Sequence, residues 1–284
     1  MATFSNYLSL IKFSHTVFAL PFAFIGFFLA AQKYEIQWPI LVLVTICMIL
    51  ARSAAMAFNR YLDRDIDTKN PRTASMREIP NGTIKANHAL WFVLATSFGF
   101  VMVTYFINSL CFFLSPIALM VILGYSYTKR FTSWCHIVLG LGLSLSPIGA
   151  YLALSNQFDL EPILFSASVL FWVAGFDIIY ALQDEEFDKQ HNLNSVPVYL
   201  GRKKAMVMSK LLHFISFAFL LVAGIYLAFG FFYWIGFVCF SSLLLYQHLI
   251  ISENDLSKIN ISFFTTNGIA SLIFGVFAVI ELLS

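Results

Sequence analysis

The chain has 284 residues, 60% of them hydrophobic and only 11% charged, with a formal net charge of +2. A soluble domain carries roughly 25% charged residues, so this composition excludes a water-soluble globular fold. With a mean hydropathy of +0.81 it points to an integral membrane protein whose apolar surface faces lipid, and the near-neutral balance gives no sign of a nucleic-acid partner.

A spanning helix needs about 20 mostly apolar residues. Nine such runs follow one another, at 13–32, 38–58, 88–108, 110–128, 134–155, 161–183, 206–228, 231–251 and 261–282. They are rich in Leu, Phe and Ala and lack the period-two alternation of a membrane barrel. The expected fold is therefore all-α, with nine transmembrane helices in one membrane-embedded domain over 1–284. The first run is longer than a signal-peptide core of roughly 7–15 residues and is preceded by the single cation Lys12, so it reads as a retained first span. His15, near its start, reads as a hydrogen-bonded helix residue. Cys47, Cys111, Cys135 and Cys239 sit in or beside apolar runs without ligand-like spacing and read as small buried hydrophobes.

Lys and Arg orient the chain. With nine spans, every one of the 17 basic residues except Lys33 falls on one side. That side is then cytoplasmic, with the N-terminus on it and the C-terminus outside. The lack of an Arg- and Ser-rich transit segment points to a bacterial inner membrane. Asp63 and Asp184 both follow a span that descends to the cytoplasm, and they lie 121 positions apart, about four spans. This predicts two similar four-helix halves plus a ninth helix, as in proteins built from parallel repeats. The long polar segments, 59–87 and 184–205, place function at the cytoplasmic rim.

The chain holds 15 acidic residues, and eight of them lie in the stretches 59–67 and 177–188. In the first, Asn59, Asp63 and Asp67 recur every four residues, which a helix continued past the span would set on one face. In the second, Asp184 and Asp188 repeat the spacing, and Asp177 lies on the same face about 10 Å deeper. Two carboxylate faces across a partly dry cleft repel and are tolerable with cations between them. One or two carboxylates per ion suit Mg²⁺, which shares its shell with waters and phosphate oxygens. Arg72, Arg77, Lys129, Arg130 and the cluster Arg202, Lys203, Lys204 stand on the same rim, as a diphosphate requires. An apolar cavity beneath invites a lipid diphosphate. Simpler readings exist for some of these residues: Asp67-Thr68-Lys69-Asn70-Pro71 also reads as a turn, and Arg202, Lys203 and Lys204 as positive-inside anchors. Asp177, deep in a span, is functional by default.

These residues resemble the UbiA superfamily of intramembrane aromatic prenyltransferases. Asn59-x-x-x-Asp63-x-x-x-Asp67 looks like its first aspartate-rich motif, and Asp177-x-x-Tyr180-Ala181-x-Gln183-Asp184-x-x-x-Asp188 like its second. Tyr125-Ser126-Tyr127-Thr128-Lys129 is similar to its Tyr-x-x-x-Lys element. The resemblance implies that Asn59, Asp63 and Asp67 hold one Mg²⁺, and Asp184 and Asp188 another. The ions carry an isoprenyl diphosphate, helped by Lys12, Arg72, Tyr125, Lys129 and Arg130. An aromatic ring then attacks the allylic cation. Asp177 or Asp184 helps remove the proton, and Arg130 is a candidate for the acceptor carboxylate. The opening Ile11-Lys12-Phe13-Ser14-His15-Thr16-Val17-Phe18-Ala19-Leu20-Pro21 looks like the branch that prenylates 4-hydroxybenzoate for ubiquinone. Asn70-Pro71-Arg72-Thr73 and Arg77-Glu78-Ile79-Pro80-Asn81-Gly82 are similar to a sub-branch of futalosine-pathway menaquinone synthesis, whose acceptor is a naphthoate-type acid.

Two other classes use membrane-embedded acids. A CDP-alcohol phosphotransferase is expected to gather them in one longer Gly- and Arg-containing signature, which this chain lacks. A cation transporter is expected to hold them near the bilayer midplane on broken helices, where only Asp177 intrudes.

Overall fold

Prolines, Asx side chains and one glycine decide where the apolar runs become helices. The computed structural model describes residues 3–12 and 19–284. A short helix α1 (Phe4–Leu10) precedes α2 (Leu20–Ala31) and α3 (Trp38–Leu62), and each of the latter two has a proline in its first turn. Proline fits there because its missing N–H would have no intrahelical partner. Two short helices follow at the membrane edge, α4 (Arg64–Lys69) and α5 (Pro71–Ala74). Asn70 caps α5 by accepting from the Arg72 N–H at 3.0 Å. Next come α6 (Ala86–Ile107), α7 (Ser109–Thr128) and α8 (Cys135–Ser155). At the α6–α7 hairpin Asn108 accepts from the Cys111 N–H at 2.8 Å. Its amide donates to the Leu152 carbonyl at the end of α8, 2.9 Å away, tying two hairpins together. After α9 (Leu160–Ala181) a 3₁₀ turn (Leu182–Asp184) leads into α10 (Glu185–Gln190). Ser195 caps α11 (Val196–Leu200), and Gly201, at φ 76°, takes the left-handed turn into α12 (Arg202–Tyr226). The chain ends with α13 (Phe231–Ile250), a π-helical turn (Ile261–Thr266) and α14 (Asn267–Leu283).

Eight segments among the described residues are long and apolar enough to cross a membrane, so this is an all-helical, multi-pass membrane protein. The predicted first span enters this count differently. Its described part, α2, has 12 residues, about 18 Å at 1.5 Å per residue. The rest of that run, 13–18 with His15, lies outside the described residues. Boundaries elsewhere shift by a turn at most, save that α12 starts at Arg202, straight after Gly201, and that the last run opens with the π-helical turn.

Helix α9 is the hub. It packs along α8 and α12 and touches α2. Of its membrane window 61% is buried, against 17% for α6 and 11% for α7, which sit at the periphery. The outer faces of α6 and α7 present Trp91, Phe98, Phe106 and Phe113 to lipid. The inner core is aromatic: Phe22 of α2 lies 5.4 Å from Trp172 of α9 and 5.7 Å from Phe274 of α14. The indole N–H of Trp172 and the Gln247 amide both donate to Asn267 Oδ1, at 3.0 and 2.5 Å, which joins α9, α13 and α14 through one buried oxygen. At one membrane edge Lys33 pairs with Glu161 at 2.7 Å and Asp159 at 3.3 Å. The acid-rich stretches meet at the other edge.

Candidate active site

Both acid stretches break their helix at the same place. Helix α3 stops at Leu62, and Asp63 (φ −85°, ψ 7°) is the joint to α4. Helix α9 gives way to the 3₁₀ turn, and Asp184 (φ −101°, ψ 4°) is the joint to α10. Both joints fall in the sparsely populated bridge region. The four-residue spacing therefore does not keep all acids on one face, as a continuous helix would. The first acid of each pair, Asp63 and Asp184, lines a cavity of about 530 Å³. The second turns back into the protein: Asp67 pairs with Arg77, and fully buried Asp188 pairs with Lys129 Nζ at 2.8 Å. A buried carboxylate needs a cation, and these loops supply one each.

A side-chain cation, and not only a metal ion, stands between the two acid rows. Arg72 reaches across from the first loop and grips Asp184 with two bonds, Nη2 to Oδ2 at 2.6 Å and Nε to Oδ1 at 3.1 Å. Asn70 donates to Asp184 Oδ1 at 3.2 Å, and Arg72 Nη1 to the Tyr180 hydroxyl at 3.1 Å. Burial acts to lower the Arg72 pKa, but the bond to Asp184 and its charge outweigh it and raise it. Lys129 is likewise raised: burial acts to lower it, and the Asp188 charge wins. Asp63 differs. Its Oδ2 accepts from Asn59 Nδ2 at 2.9 Å, and its nearest cation is Arg130, 3.7 Å from Oδ1. Burial, then the neighbouring Asp67 charge, push its carboxyl up to about 6 against the pull of Arg77, Lys129 and Arg130.

Of the residues expected at the site, Lys12, Asn59, Asp63, Arg72, Tyr125, Lys129, Asp177 and Asp184 line the cavity, and Asp67, Asp188 and Arg130 do not. Arg130 is held by Asp65 at 2.9 Å and by the Leu62 carbonyl at 2.8 Å. The Asp65 carboxyl is correspondingly lowered by the Arg130 bond.

Other lining residues escaped the sequence. Arg52 and Arg60 are cations on α3 whose buried Nε atoms have no hydrogen-bond partner among the described residues. His136, at the start of α8, bonds Asp177 at 2.7 Å. Phe263 and Phe264, on the π-helical turn, pack on Tyr180 with centroids 4.2 and 5.9 Å away. Arg52 stands two turns before Asn59 on the same helix face, which is the signal the sequence offers for it. His136 carried no motif.

At its floor the cavity meets a second, apolar one of about 330 Å³, and Arg52, Tyr125, Leu139 and Leu143 line both. The apolar cavity runs between α3, α6, α7 and α8 to Cys111, Ala153 and Phe158 near the far membrane edge. From Tyr125 to Cys111 along α7 is about 21 Å at 1.5 Å per residue.

Residues 19–269 match the UbiA prenyltransferase family. The chain belongs to the UbiA prenyltransferase family. It is thus a prenyltransferase of that family. Among similar UbiA proteins, the 4-hydroxybenzoate octaprenyltransferase of Francisella tularensis subsp. novicida is 28% identical over 241 residues, covering 85% of this chain and 84% of that one. The enzyme of the same name from Aliivibrio fischeri is 30% identical over 248 residues, covering 87% and 85%. The fold matches the apo structure of a UbiA homolog from Aeropyrum pernix with a TM-score of 0.86 at 28% identity, over 94% of this chain and 98% of that one. It also matches a UbiA homolog from Archaeoglobus fulgidus bound to DMAPP and Mg²⁺, with a TM-score of 0.74 at 22% identity, over 98% and 99%.

The donors on the cavity wall fit Mg²⁺. Asp63, Asp184 and Asn59 offer hard oxygens, and His136 is committed to Asp177. No cluster of three or more His, Cys, Asp or Glu suited to a metal occurs among the described residues.

Proposed function

We propose that the chain transfers a polyprenyl group from an isoprenyl diphosphate to a ring carbon of a hydroxylated aromatic acid such as 4-hydroxybenzoate. The transfer depends on Mg²⁺ and serves ubiquinone or menaquinone synthesis, with the active site at the cytoplasmic face of a bacterial inner membrane. The observation that carries this is one continuous space: carboxylates flanked by Arg and Lys at the rim, opening past Arg52 and Tyr125 onto a long apolar cavity. A lipid diphosphate has that same distribution of charge and grease. The names of the similar proteins from Francisella and Aliivibrio supply the acceptor class. The Archaeoglobus homolog, solved with DMAPP and Mg²⁺, supplies the ligand class of the fold.

Asp63 with Asn59 would hold one Mg²⁺ and Asp184 the other, with Asp67 and Asp188 as buried supports behind them. Bound Mg²⁺ would neutralise charge that gathers on the diphosphate as the allylic C–O bond breaks. Arg72, Lys129 and Lys12 donate charge-assisted hydrogen bonds to the same oxygens. The prenyl tail lies in the apolar cavity, and its walls keep water from the allylic cation. Arg52, with an unpartnered Nε, takes the acceptor carboxylate in place of Arg130. Asp177 accepts the proton. The equivalent breaks at Asp63 and Asp184 support two four-helix halves plus a ninth helix. The whole chain acts as one domain.

The test is membranes given geranyl diphosphate, Mg²⁺ and either 4-hydroxybenzoate or a hydroxynaphthoate, with products read by mass spectrometry. Asp63→Ala and Asp184→Ala should each lose about 100-fold or more of the rate, and Arg52→Ala should raise the acceptor KM. Wild-type turnover in the two Asp variants would overturn the site. No prenylated aromatic product from any hydroxylated acid would overturn the reaction.

A further inference from the structure

Asp177 sits in the cavity wall with 22% of its side chain exposed, and behind it His136 is buried at 3%. Asp177 Oδ2 lies 2.7 Å from His136 Nδ1. The other imidazole nitrogen, Nε2, accepts from the Val196 backbone N–H at 3.3 Å. A nitrogen that accepts carries no proton, so the neutral ring bears its hydrogen on Nδ1 and donates it to Asp177. The loop that supplies Val196 is itself pinned: Asn194 N–H donates to the Lys129 carbonyl at 2.8 Å, and Leu193 N–H to the Asp188 carbonyl at 2.9 Å. His136 is thus clamped between the α10–α11 loop and one oxygen of Asp177. The other oxygen, Oδ1, carries no hydrogen bond among the described residues.

We propose that His136 is a positioning residue for proton removal. It holds Asp177 by Oδ2 so that Oδ1 takes the proton from the acceptor ring. This rests on the prenyl transfer proposed above. In that reaction the allylic C–O pair leaves with the diphosphate, and a ring π pair forms the new C–C bond. The ring C–H pair then returns to the ring as the proton passes to Asp177 Oδ1. The imidazole stays neutral and donates throughout, and its bond to Oδ2 strengthens while the carboxylate is charged. A carboxylate tethered at one oxygen keeps the lone pairs of the other free, and Asp177 lines the cavity.

The experiment uses membranes containing the full chain, geranyl diphosphate, Mg²⁺ and 4-hydroxybenzoate, either unlabelled or deuterated beside the hydroxyl. Three quantities are read: kcat, diphosphate released per prenylated product, and the deuterium isotope effect. His136→Ala should lower kcat about tenfold or more with KM unchanged. It should also raise diphosphate release per product, because the cation waits and is lost to water, and reveal a primary isotope effect that wild type lacks. Asp177→Asn should do the same more strongly. His136→Asn keeps an N–H toward Asp177 but offers Val196 no ring nitrogen, so it should regain most of the rate and coupling. If His136→Asn is as impaired as His136→Ala, and neither shows an isotope effect, the imidazole only holds the loop and the inference is overturned. Wild-type membranes that prenylate no aromatic acid would instead overturn the reaction on which it rests.

Discussion

At the residue scale, the two acids of each motif sit in separate environments, and those environments predict separate phenotypes. Asp63 is the cavity acid without a close cation, and burial raises its carboxyl from 3.8 to about 6. A carboxyl raised on folding binds its proton more tightly in the folded chain. Its contribution is therefore neutral below about pH 4, turns unfavourable as pH climbs from about 4 to about 6, and stays at on the order of 3 kcal/mol above that. Asp63→Asn removes that cost. Without Mg²⁺, the variant should gain on wild type in thermal stability between pH 5 and pH 7.5, and added Mg²⁺ with diphosphate should close the gap. A difference that stays constant across that range would contradict the buried, weakly paired state. Asp188 is the opposite case, fully buried and matched by Lys129 at 2.8 Å. Lys129→Met should destabilise the protein by about 3–5 kcal/mol, because a carboxylate is left alone inside. The double variant Lys129→Met/Asp188→Leu should recover much of that loss. Melting temperatures of the single and double variants in detergent give the coupling directly.

At the element scale, the sequence showed where the helices were and missed where they bend. Long runs of apolar residues reveal length, and the eight spanning segments among the described residues follow from length alone. The breaks at Asp63 and Asp184 had no Gly or Pro to announce them. The second acid of each pair finds its cation outside the four-residue spacing, Asp67 in Arg77 later in the same loop and Asp188 in Lys129 at the end of α7, which no local pattern encodes. The same blindness hid the closest helix contacts. A Cβ at Gly26 of α2 would stand 2.0 Å from the carbonyl oxygen of Pro147 in α8. Small residues let helix backbones touch in a membrane. Gly26→Ala should force α2 off α8 and lower the melting temperature, with a cost of at least about 1–3 kcal/mol. Gly149→Ala, on the same helix as Pro147 but with nothing within 4 Å of its added carbon, should be nearly silent. Equal stability of the two variants would show that α2 and α8 do not pack this way.

At the scale of the whole molecule, charge distribution alone placed both acid stretches on one membrane edge, and the ion pair between Arg72 and Asp184 joins them there. What charge could not reveal was the apolar cavity, because its walls are Ala, Ser, Val, Ile and Leu scattered over four helices and indistinguishable in sequence from lipid-facing residues. Only packing separates them. Arg52 and Tyr125 mark where the polar cavity ends and the apolar one begins, so a bound chain would have its first units at this neck and later ones farther along α7. Ala118 lines the apolar cavity two turns beyond Tyr125, about 10 Å by helix rise. A bulky side chain there should leave the neck open and block the space behind it. Ala118→Trp should therefore keep near-normal kcat/KM with dimethylallyl diphosphate and lose about tenfold or more with donors several isoprene units longer, since each buried CH₂ forfeits about 0.8 kcal/mol. The comparison is made with one acceptor and a donor series in the same membranes. An equal loss for every donor would mean that the tail does not follow this cavity, and the chain would have to leave the neck straight into the bilayer.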